Sequence, residues 1–166
     1  EVARRRRAGG RCLPMHLVVS GAPAPDVVRS TPTLHRIAND DEFLQAVAAA
    51  YGGVPAAVLE HRELRALVAP ALRADLKMHE RYVFTEEPPL PFPITAFGGL
   101  ADTSVSEAWL RGWERHTTST FEWRMFPGDH FFLHQHDART MLLRAILERL
   151  ALVQGPAGST VQGSTP

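Results

Sequence analysis

Two short stretches of this chain carry side chains suited to proton transfer. In Gly98-Gly99-Leu100-Ala101-Asp102-Thr103-Ser104-Val105, glycines end an apolar run and a carboxylate follows before a helical pattern. In Phe126-Pro127-Gly128-Asp129-His130-Phe131-Phe132, the next apolar run ends at a Pro-Gly turn and a histidine follows. Reactive groups of open α/β sheets gather in loops at the carboxyl ends of the strands. Neighbouring parallel strands lie ~4.8 Å apart, so loops ending two of them can bring Asp102 and His130 into hydrogen-bond reach. A carboxylate so placed fixes the imidazole tautomer and stabilises the imidazolium that forms when the ring takes a proton. Asp129, beside the histidine, reads as a solvent-facing turn residue.

Other chemistry is less well supported. Among the eight histidines, His130, His134 and His136 cluster with Asp137 as potential metal ligands. They span a loop and a helix start and lack the i, i+4 histidine pair of zinc proteases, so no metal is expected. Ser20 ends a strand as a nucleophile would. Val18, however, stands where a small residue is needed, and Pro23 and Pro25 follow in place of a helix. A single cysteine, Cys12, excludes an internal disulfide framework. Eighteen basic and eighteen acidic residues cancel, leaving no long-range field that favours nucleic acid or an anionic membrane. The run Arg4 to Arg7 reads as the solvated face of a helix rather than a basic arm. No stretch approaches the ~20 apolar residues of a membrane span, and Pro14 and His16 interrupt the early apolar run that could suggest a secretory leader. The expected location is cytoplasmic.

The elements that must position the two loops follow from periodicity and punctuation. A helix over the arginines stops at Gly9-Gly10, and Met15 to Ser20 reads as a buried strand ending at Gly21. Ala22 to Thr33 is a proline-containing loop. Asn39 can cap a helix with Glu42 as its capping-box partner; Phe43, Leu44, Val47 and Tyr51 form its apolar face, and Gly52-Gly53 end it. Two more helices are expected, from Pro55 to Val68 and from Pro70 to Tyr82, with each proline in a first turn. The segment Glu86 to Pro93 leads into a strand over Ile94 to Phe97. A helix follows over Ser104 to Arg115, with Val105, Trp109 and Trp113 stacked, then a strand over Thr120 to Phe126, and a last helix from Asp137, as N-cap, to about Val153. Residues 154–166 are rich in Gly, Ser, Thr and Pro and are expected to form a disordered tail. Strand and helix alternating at this spacing imply parallel strands joined by crossovers, an α/β sheet. The expected organisation is one domain over 1–153, with a helical insertion at 34–85. Three short parallel strands make a poor independent unit, and EVARRRR opens as the middle of a helix without a cap. More strands upstream, and a missing start, are the expectation.

The two loops and several other segments resemble the type II thioesterases, the stand-alone editing hydrolases of polyketide and nonribosomal peptide synthesis. That family has a Gly-Gly-x-x-Asp-x-x-Val loop, matched by Gly98, Gly99, Asp102 and Val105. Its Pro-Gly-x-His-Phe-Phe-Leu segment is matched by Pro127, Gly128, His130, Phe131, Phe132 and Leu133. Trp113 and Thr117, Val18 to Pro23, Asp40 to Leu44, Gly52 to Pro55 and Leu72 to Asp75 also match, in order, over about Glu1 to Leu150. The resemblance implies the C-terminal part of an α/β-hydrolase fold: three parallel strands, flanking helices and a helical lid. It implies Asp102 as triad acid and His130 as base. Phe43, Leu44, Val47, Leu64 and Leu72 become candidate lining of an acyl chamber, although for any one of them core packing is the favoured reading.

The same resemblance implies hydrolysis of acyl thioesters on the phosphopantetheine arm of acyl or peptidyl carrier proteins, without a resident cofactor, by a protein that is a monomer when complete. Such enzymes carry their serine in a Gly-x-Ser-x-Gly elbow, and no such motif occurs here. The serine would lie about eight residues before Glu1, and the oxyanion donors, the N–H after the serine and one further upstream, would be missing with it. The 166 residues alone are therefore expected to be inactive. A general esterase and a non-catalytic carrier-binding module are the alternatives.

Overall fold

In the computed structural model, described over residues 1–27 and 33–154, three strands form one parallel sheet in the order β1 (Leu17–Ser20), β2 (Ile94–Gly99), β3 (Phe121–Phe126). Leu17 pairs with Ile94 and Ile94 with Phe121, and the register runs on to Gly99 opposite Phe126. β2 is buried along its whole length, as the middle strand of a sheet covered on both faces must be. Phe97 packs edge-on against Phe126, which stacks on Phe132, and Ala138, Leu142 and Ala145 of α6 (His136–Gln154) close that side. On the other side, α5 (Glu107–Arg111) supplies fully buried Leu110 beside Ala96 and Val105.

The arginine helix, α1 (Val2–Ala8), does more than face solvent. Arg4 donates to the Thr85 carbonyl at 2.8 Å, and Arg7 donates to the carbonyls of Pro88 and Pro89 at 2.8 and 2.9 Å. Prolines have carbonyls but no N–H, so the 85–89 stretch cannot bond itself into a ladder, and guanidinium donors satisfy it instead.

Between β1 and β2 lies a helical section with its own core. Asn39 caps α2 (Asp40–Tyr51) by accepting from the N–H groups of Asp41 and Glu42 at 2.8 and 3.1 Å. Phe43, Leu44 and Val47 pack against Leu34, Val58 and Ala69. Here the proline reading needs correction. The break falls at His61, between α3 (Ala56–Glu60) and α4 (Arg62–Glu80), and Pro70 lies inside α4. An interior proline costs ~3 kcal/mol in an isolated helix because it removes one donor and crowds the carbonyl four residues back. Pro70 and Ala66 are both exposed, so water serves that carbonyl, while fully buried Ala69 anchors the helix beside it.

Other boundaries also moved. The helix expected from Ser104 starts at Glu107 with Ser106 as its cap, and continues as a 3-10 turn over Gly112–His116. Val105 therefore precedes the helix and is buried, Trp109 is half exposed, and Trp113 donates to the Ala22 carbonyl at 3.0 Å. The last helix begins at His136, which puts Asp137 in its first turn rather than at its cap. Gln154, expected to open the tail, is instead the last residue of α6, and the rest of that tail, 155–166, lies outside the described residues, as does 28–32 of the early loop. Among the described residues no helix is long and apolar enough to cross a membrane.

Candidate active site

The acid and base loops start level with each other because Gly99 and Phe126 are register partners on adjacent strands. They are then laced together: Leu100 N–H donates to the Phe126 carbonyl and Ala101 N–H to that of Gly128, both at 2.8 Å. Gly128, at φ 118°, turns the base loop in a conformation that other residues rarely adopt. Asp129 accepts from the Phe131 N–H at 2.9 Å and remains exposed, the turn role read from its position. These constraints carry His130 back over the end of the sheet to Asp102.

His130 Nδ1 lies 2.9 Å from Asp102 Oδ2. The other carboxylate oxygen, Oδ1, accepts from the N–H of Ser104 at 2.8 Å, the Ser104 hydroxyl at 2.7 Å and the N–H of Val105 at 3.0 Å. The Asp102 side chain is wholly shielded from solvent, whereas that of His130 is 26% exposed. Burial pushes the carboxyl pKa up. The hydrogen bonds from the Ser104 hydroxyl, His130 and the two backbone N–H groups outweigh it and hold Asp102 below its usual value. An ionised carboxylate only accepts, so Nδ1 carries the ring proton and Nε2 keeps the lone pair. That tautomer is the one a general base needs.

Ser104 is the site residue that sequence reasoning passed over. Its hydroxyl also lies 3.0 Å from His130 Nδ1. It is not a nucleophile for this dyad, because the nitrogen it faces is already protonated and cannot accept its proton. Ser20, the other serine considered, ends β1, and no hydrogen bond joins it to His130 among the described residues. A Cβ added at its neighbour Gly21 would stand 3.5 Å from Cε1 of the His130 ring.

A cavity of about 430 Å³ opens beside His130. Its walls are Val47 and Tyr51 of α2, Val68, Leu72, Leu76 and His79 of α4, the Gly52–Pro55 link, Phe131 and His130 itself. Of the five residues expected to line a chamber, Val47 and Leu72 do so. Phe43 and Leu44 do not: they are fully buried where α2 packs on α4. Leu64 is 37% exposed and also stands outside the wall. Phe43 and Leu44 are taken up because a helix spends its apolar stripe first on packing its neighbours. A larger hollow of about 550 Å³ between the Pro23–Val27 loop and the end of α4 has neither Asp102 nor His130 in its wall. Among the described residues no group of three or more His, Cys, Asp or Glu side chains is placed to hold a metal, and His134 stacks on Phe131 instead.

Comparison with known proteins identifies the family and the fold. A thioesterase domain family model matches residues 1–150. The gramicidin S biosynthesis protein GrsT of Aneurinibacillus migulanus is 34% identical over 156 residues, covering 94% of this chain and 59% of that protein. Among solved structures, the RedJ thioesterase of the prodiginine pathway in Streptomyces coelicolor superposes with a TM-score of 0.78 at 34% identity, over 87% of this chain and 56% of RedJ. ClbQ of the colibactin pathway gives 0.79 at 30% identity, over 92% and 64%. The chain thus spans well under two thirds of its curated relatives such as GrsT. Its parallel sheet with helices on both faces is the α/β fold of these structures, and with a family match over nearly the whole described chain it belongs to the thioesterase domain family.

Proposed function

We propose that this chain supplies the acid, the base and the acyl cavity of a type II thioesterase that releases stalled or wrong acyl groups from carrier proteins of a polyketide or nonribosomal peptide synthase. The observation that carries the proposal is a buried Asp102 whose Oδ2 lies 2.9 Å from His130 Nδ1, at the mouth of a largely apolar cavity. A serine in a Gly-x-Ser-x-Gly elbow, which these 166 residues do not contain, attacks the thioester carbonyl while His130 Nε2 takes its proton. The imidazolium returns that proton to the departing phosphopantetheine thiolate. His130 then deprotonates water for attack on the acyl-serine and gives that proton to the departing serine oxygen, and Asp102 keeps its position and charge throughout. The section over 34–85 acts as a lid, with Val47 and Leu72 contacting the acyl chain. The phosphopantetheine arrives with the carrier, so no resident cofactor is needed, and a cytoplasmic monomer suits such a partner.

The test is turnover by a protein in which an N-terminal portion bearing a Gly-x-Ser-x-Gly elbow precedes this chain. Acyl-carrier thioesters should be hydrolysed faster than simple esters of the same acyl group, and His130→Ala should abolish both. Equal rates on esters would instead assign a general esterase. Carrier binding with no turnover would assign a binding module.

A further inference from the structure

We infer that Ser104 is a positioning residue which, through its hydroxyl, locks His130 in the Nδ1–H tautomer; the inference rests on the His130–Asp102 reading above. The hydroxyl has one proton, and its polar neighbours include Asp102 Oδ1 at 2.7 Å and His130 Nδ1 at 3.0 Å. A carboxylate cannot donate, so the hydroxyl proton goes to Oδ1. An oxygen lone pair of Ser104 then faces the imidazole. The Nδ1 proton consequently lies between two acceptors, Asp102 Oδ2 at 2.9 Å and Ser104 Oγ. Asp102, Ser104 and His130 close a ring of hydrogen bonds in which each bond fixes the direction of the next.

Asp102 alone does not achieve this. A single acceptor leaves the imidazole free to pivot about the Nδ1···Oδ2 line, and a second acceptor out of line with the first removes that freedom. The arrangement is also separable from the fold of the loop. The N–H groups of Ser104 and Val105 already hold Oδ1 at 2.8 and 3.0 Å, so the backbone turn keeps its bonds when the hydroxyl is removed. The aspartate stays among the ions whose charge is favoured by donors, while the histidine loses one of its two acceptors.

The experiment is nitrogen-detected NMR of the whole chain labelled at histidine, which reads the ring tautomer and the solvent exchange of the Nδ1 proton without any need for turnover. The wild type should show His130 as the Nδ1–H form with a slowly exchanging proton. Ser104→Ala should speed that exchange about five- to ten-fold, the effect of losing one neutral hydrogen bond, and raise the Nε2–H population. Ser104→Thr, which keeps the hydroxyl, should restore both. Should Ser104→Ala fold poorly, Ser104→Cys fills the same space with a weaker acceptor and should give an intermediate exchange rate. Wild-type spectra in the variants lacking the hydroxyl would overturn the inference and leave the dyad standing. An Nε2–H tautomer in the wild type itself would overturn both.

Discussion

A Cβ built on Gly99 would stand closer than van der Waals contact to the carbonyl oxygen of Asp129, and 2.6 Å from that of Gly128. The loop that carries the acid and the loop that carries the base therefore touch backbone to backbone, with no side chain between them. This contact sets the distance from which Asp102 and His130 reach each other.

Gly99→Ala should consequently cost stability and geometry together. The methyl meets carbonyl oxygens, not a flexible side chain, so the strand ends must part. Overpacking of this kind costs about 1–3 kcal/mol. Urea unfolding of the variant should show that loss, and the Nδ1 proton of His130 should lose its protection from exchange. A variant as stable as the wild type, with that proton still protected, would mean the loops separate without consequence.

The depressed pKa of Asp102 fixes the sign of a pH dependence. A carboxyl that ionises more readily folded than unfolded stabilises the fold fully above its unfolded pKa, ~3.9, and the contribution fades as pH falls through the lower folded value. The stability gap between wild type and Asp102→Asn should be constant from neutral pH down to about pH 5 and narrow below about pH 4. Denaturant midpoints at several pH values measure it. A gap that widens on acidification would contradict the ionised, donor-held carboxylate.

Legibility from sequence followed the strength of local punctuation. The approach of Asp102 to His130 was readable because Gly98-Gly99 and Pro127-Gly128 end their strands unmistakably, and parallel pairing then leaves their loops one place to go. The run of α4 through Pro70 was not readable, since a proline marks a helix start and an exposed interior site with the same letter, and only the burial of Ala69 decides. Phe43 and Leu44 could not be told from Val47 and Leu72, because packing a core and lining a cavity ask for the same residues at the same spacing. Ser104 left no signal at all. A serine two places after an aspartate is ordinary loop composition, and its importance depends on where His130 arrives from 26 residues away. Arg4 and Arg7 hid their role likewise, their carbonyl acceptors lying 81 and 82 residues on.

Gly53 and Phe131 should behave as a coupled pair. Gly53 has φ +72°, and a Cβ there would come within 2.9 Å of Phe131 Cδ2 and nearer still to two other ring atoms. Gly53→Ala should displace the ring, which stands edge-on to His130 with centroids 5.2 Å apart, and reshape the cavity mouth. Phe131→Ala makes room for the methyl. The double variant should therefore lose less stability than the sum of the singles, with a coupling of about 0.5–3 kcal/mol. Additivity in denaturation would indicate that the strained backbone of Gly53, not the ring contact, carries the cost.

Truncation of the helical section should sort its residues by role. Phe43→Ala removes a fully buried ring from the core and should cost about 3–5 kcal/mol. Leu64→Ala, at a 37% exposed site, should cost well under that. Leu72→Trp projects into the cavity from its wall and should weaken binding of a long-chain fluorescent fatty acyl probe more than that of a short one. Equal loss for all chain lengths would place the acyl group elsewhere.

The 166 residues by themselves should turn over no thioester. His130 is held as a base, but a base needs a hydroxyl on its Nε2 side, and the serine hydroxyl within reach, Ser104, faces Nδ1. Loss of the serine from a related triad lowers turnover by about a million-fold, and loss of an oxyanion donor costs a further ~10²–10³-fold where donors act singly. Incubating the purified chain with an acyl-carrier thioester should release acid no faster than buffer does. A fluorophosphonate should leave no adduct by mass spectrometry. An adduct on Ser20 would reverse the argument, because it would show that the end of β1 can bring a reactive hydroxyl to His130 and that this chain holds a nucleophile of its own.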